Sequence, residues 1–178
     1  MMKIKIIEIV PAFLGTLIFL IVIIPFFMIF IPAKILSAPE NAYYFNIGIF
    51  RYIGLVPIVL GTFIYLYCSA SFVFVGRGTP ILFTPTKALI VSGLYRYVRN
   101  PLYIAGLLVL TGEGIYFQST GLFVYCLVMF GFFNFYVLME ESILAEKFGA
   151  SYEAYRQSVP RWIPKLKPYE KPHKSGTG

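Results

Sequence analysis

The sequence predicts an all-α, polytopic integral membrane protein. It has about four transmembrane helices, the last two forming a tight hairpin, and a C-terminal amphipathic helix at the interface. Three observations carry this prediction. Hydrophobic residues make up 58% of the 178 residues and charged residues 13%, with a mean hydropathy of +0.77. A soluble domain needs far more charge to cover its surface. The apolar residues fall in long uncharged runs, and the basic residues flank those runs instead of forming a basic domain. The net charge of +7 therefore points to topology and lipid headgroups, not to nucleic acid.

The first uncharged run, 9–31, has 23 residues, roughly 35 Å of helix at about 1.5 Å per residue. Pro11 and Pro25 lie inside it, which membrane helices tolerate. Lys3 and Lys5 give its start the look of a signal peptide, but the run is too long and no small-residue cleavage site follows, so a retained anchor is expected. Residues 32–47 read as a polar break, and 52–75 as a second span of 24 residues. Residues 76–100 form a loop rich in Gly, Pro and Arg. The stretch 101–139 holds 39 residues and a single charge, Glu113, which is twice what one crossing needs. Its one polar cluster, Gln118-Ser119-Thr120-Gly121, divides it into 101–117 and 122–139. Glu113 is expected to pair helices or snorkel at the outer end. Beyond Met139, residues 140–158 read as the amphipathic surface helix, stopped by Pro160, with Trp162 as an interfacial anchor. One domain is expected over 1–164, with its motif core at 76–164, followed by a disordered basic tail at 165–178.

Four crossings put thirteen of the fifteen Lys and Arg residues on one side, leaving Lys34 and Arg51 on the other. That split assigns both termini and the 76–100 loop to the cytoplasm. Cys68 and Cys126 lie in apolar runs without metal spacing, and the chain has one histidine, His173, so no metal site is expected.

This topology gathers three segments at one membrane depth: Gly76-Arg77-Gly78, the stretch from Arg96 to Tyr103, and Glu140-Glu141. Adjacent glutamates at an apolar helix end need partners, and Arg96 and Arg99 are at hand. Pro101 suits the first turn of a helix. The expected result is a mixed-charge pocket open to cytosol, suited to a polar cofactor meeting a lipid-phase substrate.

Three blocks carry a resemblance. They are Gly76-Arg77-Gly78-Thr79-Pro80, the run from Leu89 through Gly93-Leu94-Tyr95-Arg96-Tyr97-Val98-Arg99-Asn100-Pro101-Leu102-Tyr103, and Glu140-Glu141-Ser142-Ile143-Leu144 followed by Phe148-Gly149, Tyr152, Tyr155 and Val159-Pro160-Arg161. In order and spacing this half of the chain resembles the isoprenylcysteine carboxyl methyltransferase and phospholipid methyltransferase superfamily. The resemblance implies S-adenosylmethionine as methyl donor. It implies a cofactor site drawn from Gly76, Gly78, Arg99, Asn100, Pro101, Tyr103, Glu140 and Glu141; Tyr95 and Arg96 of the same run are expected to join it, and Arg99 and Arg161 are the expected catalytic residues, orienting an anionic acceptor or the cofactor carboxylate. It differs from the eukaryotic prenylcysteine enzymes at Asn100, where they have histidine, and at Asn134-Phe135-Tyr136, where they carry a basic residue.

The implied reaction is methyl transfer to an oxygen or nitrogen of a lipophilic or lipidated acceptor. Two rival readings are a membrane reductase with a related helical core using NADPH, and a non-enzymatic membrane scaffold. The first would need a phosphate site richer in basic side chains than this short loop offers.

Overall fold

The computed structural model describes residues 14, 15, 17–38, 44–76 and 88–170. Five helices make up the architecture: α1 (Ile21–Ser37), α2 (Gly48–Val75), α3 (Pro101–Tyr116), α4 (Thr120–Phe148) and α5 (Ala150–Ser158). No extended strand occurs among the described residues, only an isolated bridge between Tyr44 and Ser119.

α2 and α4, of 28 and 29 residues, are long and apolar enough to cross a membrane. Only 28% and 17% of their most apolar windows are buried. A core helix of a soluble protein would be mostly covered, so these faces call for an apolar surrounding. α2 opens on a 3-10 stretch, Gly48–Gly54, and closes on a wide π turn, Phe72–Gly76. Pro57 sits in the first turn of its regular part, Leu55–Ser71, where the missing N–H has no helical partner to lose.

α3 starts with Pro101 at its first position and ends in the turn predicted at 118–121. Gln118 takes a left-handed φ of 56°, and the buried Ser119 caps α4, its Oγ accepting from Leu122 N at 3.4 Å. The Gln118 side chain accepts from Ile47 N at 2.8 Å, docking the α1–α2 connection on the hairpin turn. Lys34 and Arg51 therefore sit at that end of the bundle. Arg96, Arg99, Lys147, Arg156, Arg161, Lys165 and Lys167 belong to the segments at the other.

α2 and α3 meet through small residues. A Cβ at Gly54 would stand 2.5 Å from Gly112 O, one at Gly61 2.6 Å from Ala105 O, and one at Gly112 2.6 Å from Gly54 O. Backbones this close leave no room for side chains between them. α1 packs on the hairpin through Met28, Leu110 and Met129, and Tyr125 donates to Phe27 O at 3.1 Å.

Three expectations are corrected. The polar break expected at 32–47 begins later, because α1 continues through Pro32 to Ser37. The π turn Phe26–Phe30 precedes Pro32 and leaves its ring room. α4 does not stop at Met139. It runs to Phe148, where Gly149, with φ 51°, breaks it, so the helix expected over 140–158 is really the end of α4 plus α5. Lys165–Glu170 is not loose: Lys165 N donates to Tyr97 O at 3.0 Å, Tyr169 N donates to Arg96 O at 2.9 Å, and Tyr169 is buried. The first part of the 9–31 span, residues 171–178 and most of the 76–88 loop lie outside the described residues.

Candidate active site

Glu140 and Glu141 are adjacent on α4 and so point about 100° apart. Each has its own partner. Glu141 is 7% exposed and receives Arg161 through two parallel bonds, Nε to Oε1 at 3.0 Å and Nη2 to Oε2 at 2.7 Å. This fork is the strongest geometry available to a guanidinium and a carboxylate. Arg99 Nη1 stands 2.8 Å from the same Oε1, close as an ion pair but off the hydrogen-bond direction. Glu140 instead accepts from the hydroxyl of Tyr103 at 2.8 Å, one turn into α3, and the Tyr103 ring lies against Phe133 and Tyr136.

The chain after α5 holds the entrance of α3 in place. Arg99 N donates to Pro160 O at 2.9 Å, and Asn100 Nδ2 donates to Arg161 O at 3.2 Å. From α5, Tyr155 donates to Tyr95 O at 2.7 Å. Tyr152, Tyr155, Val159 and Tyr169 form a small core beneath this contact. Trp162 reaches back to α4, with Nε1 donating to Asn134 Oδ1 at 3.0 Å and its ring on Phe130.

Between these elements lies a cavity of about 60 Å³. Its polar lining is Arg99, Asn100, Glu140 and Glu141, and its aromatic walls include Tyr95, Tyr152 and Tyr155. The volume holds a few waters, whereas small-molecule sites occupy roughly 300–1,000 Å³. The cavity as it stands is smaller than a site for a whole nucleoside, and its lining is charged. It presents donors to a polar ligand. Arg99 Nη1 is ion-paired with Glu141 and the Tyr95 hydroxyl faces Cys68, whereas Arg99 Nε is buried with no hydrogen-bond partner among the described residues. Buried polar atoms are rarely left so.

Electrostatics settle what the tyrosines can do. Burial holds the Tyr95 phenol well above its ordinary range. Burial, then Glu141, push Tyr152 up to about 12 against the opposing hydrogen bond from Arg99, and burial raises Tyr155 as well. All three stay neutral near pH 7 and act as walls and hydrogen-bond groups, not bases. The Arg161 guanidinium is held above its usual range, first by its hydrogen bond to Glu141.

Residues 49–151 match the profile of the phospholipid methyltransferase family, more than half of the chain. The chain belongs to the phospholipid methyltransferase family. Over 82 residues it is 42% identical to the protein-S-isoprenylcysteine O-methyltransferase of Schizosaccharomyces pombe, which covers 43% of this chain and 33% of that protein. Over 118 residues it is 30% identical to the probable protein-S-isoprenylcysteine O-methyltransferases of Oryza sativa subsp. indica and subsp. japonica, covering 64% of this chain and 60% of each of those proteins. The chain thus spans between one third and three fifths of the curated relatives it matches. No solved structure matches it.

In this phospholipid methyltransferase family member the residues singled out from sequence land unevenly. Arg99, Asn100, Glu140 and Glu141 converge on the cavity, joined by Tyr95, while Tyr103 and Arg161 hold the two glutamates. Pro101 is buried at the start of α3, and Gly76 ends the π turn that closes α2. Gly78 lies outside the described residues. Arg96 does not partner the glutamates: it lines a different groove, and its Nε donates to Tyr169 O at 2.8 Å. Sequence reasoning counted Tyr152 and Tyr155 among the residues of the family resemblance but did not place them in the site, where they form aromatic walls. Their spacing of three residues was the available signal, since it puts both on one face. Tyr152, Tyr155 and Arg161 all lie beyond the family match, which ends at 151.

Proposed function

We propose that this chain is a membrane-bound, S-adenosylmethionine-dependent methyltransferase acting on a lipid-anchored carboxylate at the cytoplasmic end of the helical bundle. The observation that carries the reading is the division of labour between the glutamates. Glu141 is taken by two arginines, while Glu140 faces the cavity, where the buried Nε of Arg99 has no hydrogen-bond partner among the described residues. A carboxylate and a guanidinium side by side match the ammonium and carboxylate of an amino-acid moiety. When bound, S-adenosylmethionine supplies a methyl group already activated on a sulfonium. The protein's part is then orientation and water exclusion. Glu140 accepts from the ammonium or ribose hydroxyls, Arg99 meets the carboxylate, and Tyr95, Tyr152 and Tyr155 wall off solvent. Arg161 acts through Glu141. A carboxylate acceptor is favoured because it needs no proton removed and the three cavity tyrosines are neutral. The names of the fission yeast and rice relatives, O-methyltransferases of isoprenylcysteine, point the same way.

The test is calorimetric titration in detergent. The parent binds S-adenosylmethionine and gives no heat with NADPH. Glu140→Gln, which keeps an acceptor for Tyr103, binds at least about tenfold more weakly, the worth of one charged hydrogen bond. Unchanged binding, or a preference for NADPH, sinks the assignment.

Four crossings with both termini cytoplasmic complete the proposal, supported by the 13-to-2 division of basic residues. In intact cells a thiol reagent that cannot cross membranes labels Ser37→Cys, at an exposed helix end, and leaves Ser175→Cys unlabelled until permeabilisation. Labelling of both from one side rules out the three crossings between them and the sidedness proposed here.

A further inference from the structure

The short turn Gly93–Arg96 is a wall with two faces. Tyr95 lines the cavity beside Glu140, while Leu94 and Arg96 line a second, wider groove of about 440 Å³ against α2. Phe63, Ile64 and Tyr67 of α2 form the opposite wall of this groove. Phe63 and Tyr67 are 68% and 50% exposed, so the groove opens on the apolar outer surface of a helix long enough to cross a membrane. Gly93 has φ +56°, and the Tyr67 hydroxyl occupies the place its Cβ would take, which fixes that hydroxyl across the groove.

Among the described residues Arg96 is the only charged one in the groove lining. Among the described residues no carboxylate pairs with it, and one of its nitrogens, Nε, is engaged by Tyr169 O. An apolar wall facing lipid, ending at a guanidinium with tyrosines on either side, is complementary to one kind of occupant. We propose that this groove binds a phospholipid of net negative charge, its phosphate on Arg96 and the start of one acyl chain along Phe63 and Ile64. The site is separated from the cofactor cavity by the turn that carries Tyr95. The proposal rests on the reading of α2 as a membrane span and not on the methyltransferase reading.

Native mass spectrometry of the full chain in dodecyl maltoside tests it, with short-chain phosphatidylglycerol and phosphatidylcholine of the same acyl length as probes. The parent retains one phosphatidylglycerol about fivefold more tightly than phosphatidylcholine, the worth of one basic side chain at a headgroup. Arg96→Gln abolishes the preference, and Arg96→Lys, which keeps the charge, restores it. Phe63→Ala, at an exposed position whose loss leaves folding intact, weakens phosphatidylglycerol by about threefold through lost chain contact. Inorganic phosphate does not displace the lipid. Equal retention of both lipids by the parent overturns the proposal. So do a preference that survives Arg96→Gln in folded protein, unchanged binding in Phe63→Ala, and displacement by phosphate alone.

Discussion

Glu141→Gln unfolds at markedly lower temperature than the parent in detergent, a loss of about 3 kcal/mol. The glutamate is 7% exposed and is the shared counter-ion of Arg99 and Arg161. Glutamine keeps the shape and one acceptor but removes the charge, leaving two guanidinium groups side by side at the apolar boundary. Breaking a buried pair costs about 3–5 kcal/mol. The lower end applies because the Arg161 side chain is 33% exposed and recovers some hydration. The double variant Glu141→Gln/Arg161→Gln regains part of the loss, since one stranded charge goes with the carboxylate. The contrast with Glu140→Gln is diagnostic: that change moves cofactor affinity and leaves unfolding nearly in place. A Glu141→Gln protein as stable as the parent shows that the arginine fork adds nothing to folding.

Gly112→Leu has the second large effect, and its cause is steric. The first atom of any side chain at this position would lie 2.6 Å from Gly54 O and 2.9 Å from Ile58 N, both backbone atoms of α2. No rotamer change relieves an overlap with backbone, so the helices must separate. Overpacking of this kind costs about 1–3 kcal/mol even when side chains alone must yield, and the upper end is expected here. Gly131→Leu is the control. A Cβ at Gly131 meets nothing within 4 Å, and the position is exposed on α4. There the change stays within about 0.5 kcal/mol of the parent, as surface substitutions do. Unfolding in detergent compares the two, and equal losses would show that the α2–α3 contact is looser than drawn here.

Much of this architecture was readable from local chemistry. The hairpin turn at 118–121 stood out because it is the one polar cluster in a long apolar stretch, and Ser119 does cap α4 there. The gathering of Arg99, Asn100, Glu140 and Glu141 followed from hydropathy, since helices of fixed rise return their ends to one depth. What failed was the use of charge as a boundary marker. Glu140 and Glu141 looked like the end of a span, yet α4 continues for two turns because Tyr103, Arg99 and Arg161 partner them. The break comes at Gly149, where backbone conformation, not polarity, decides. Arg96 and Arg99 were equivalent candidates in sequence. The 3-10 turn between α2 and α3 rotates them apart, and nothing in residue type foretold that. Arg161 was recognised as a site residue but assigned to a ligand. Its bond to Glu141 depends on a chain reversal at Gly149 and Pro160 that periodicity does not encode.

The glycine contacts between α2 and α3 have a mechanical consequence. Two helices touching backbone to backbone at Gly54 with Gly112 and at Gly61 with Ala105 are pinned at two heights. Close backbone contact at two heights resists sliding and pivoting of one helix on the other. Under the function proposed above, a cavity of about 60 Å³ has to widen before a nucleoside fits. With one wall of the bundle pinned, the hinge falls to the other: α4 beyond Met139, α5, and the returning segment that carries Arg161 and Trp162. The ion pairs at Glu141 tie that wall to the entrance of α3 through Arg99 and to the returning segment through Arg161.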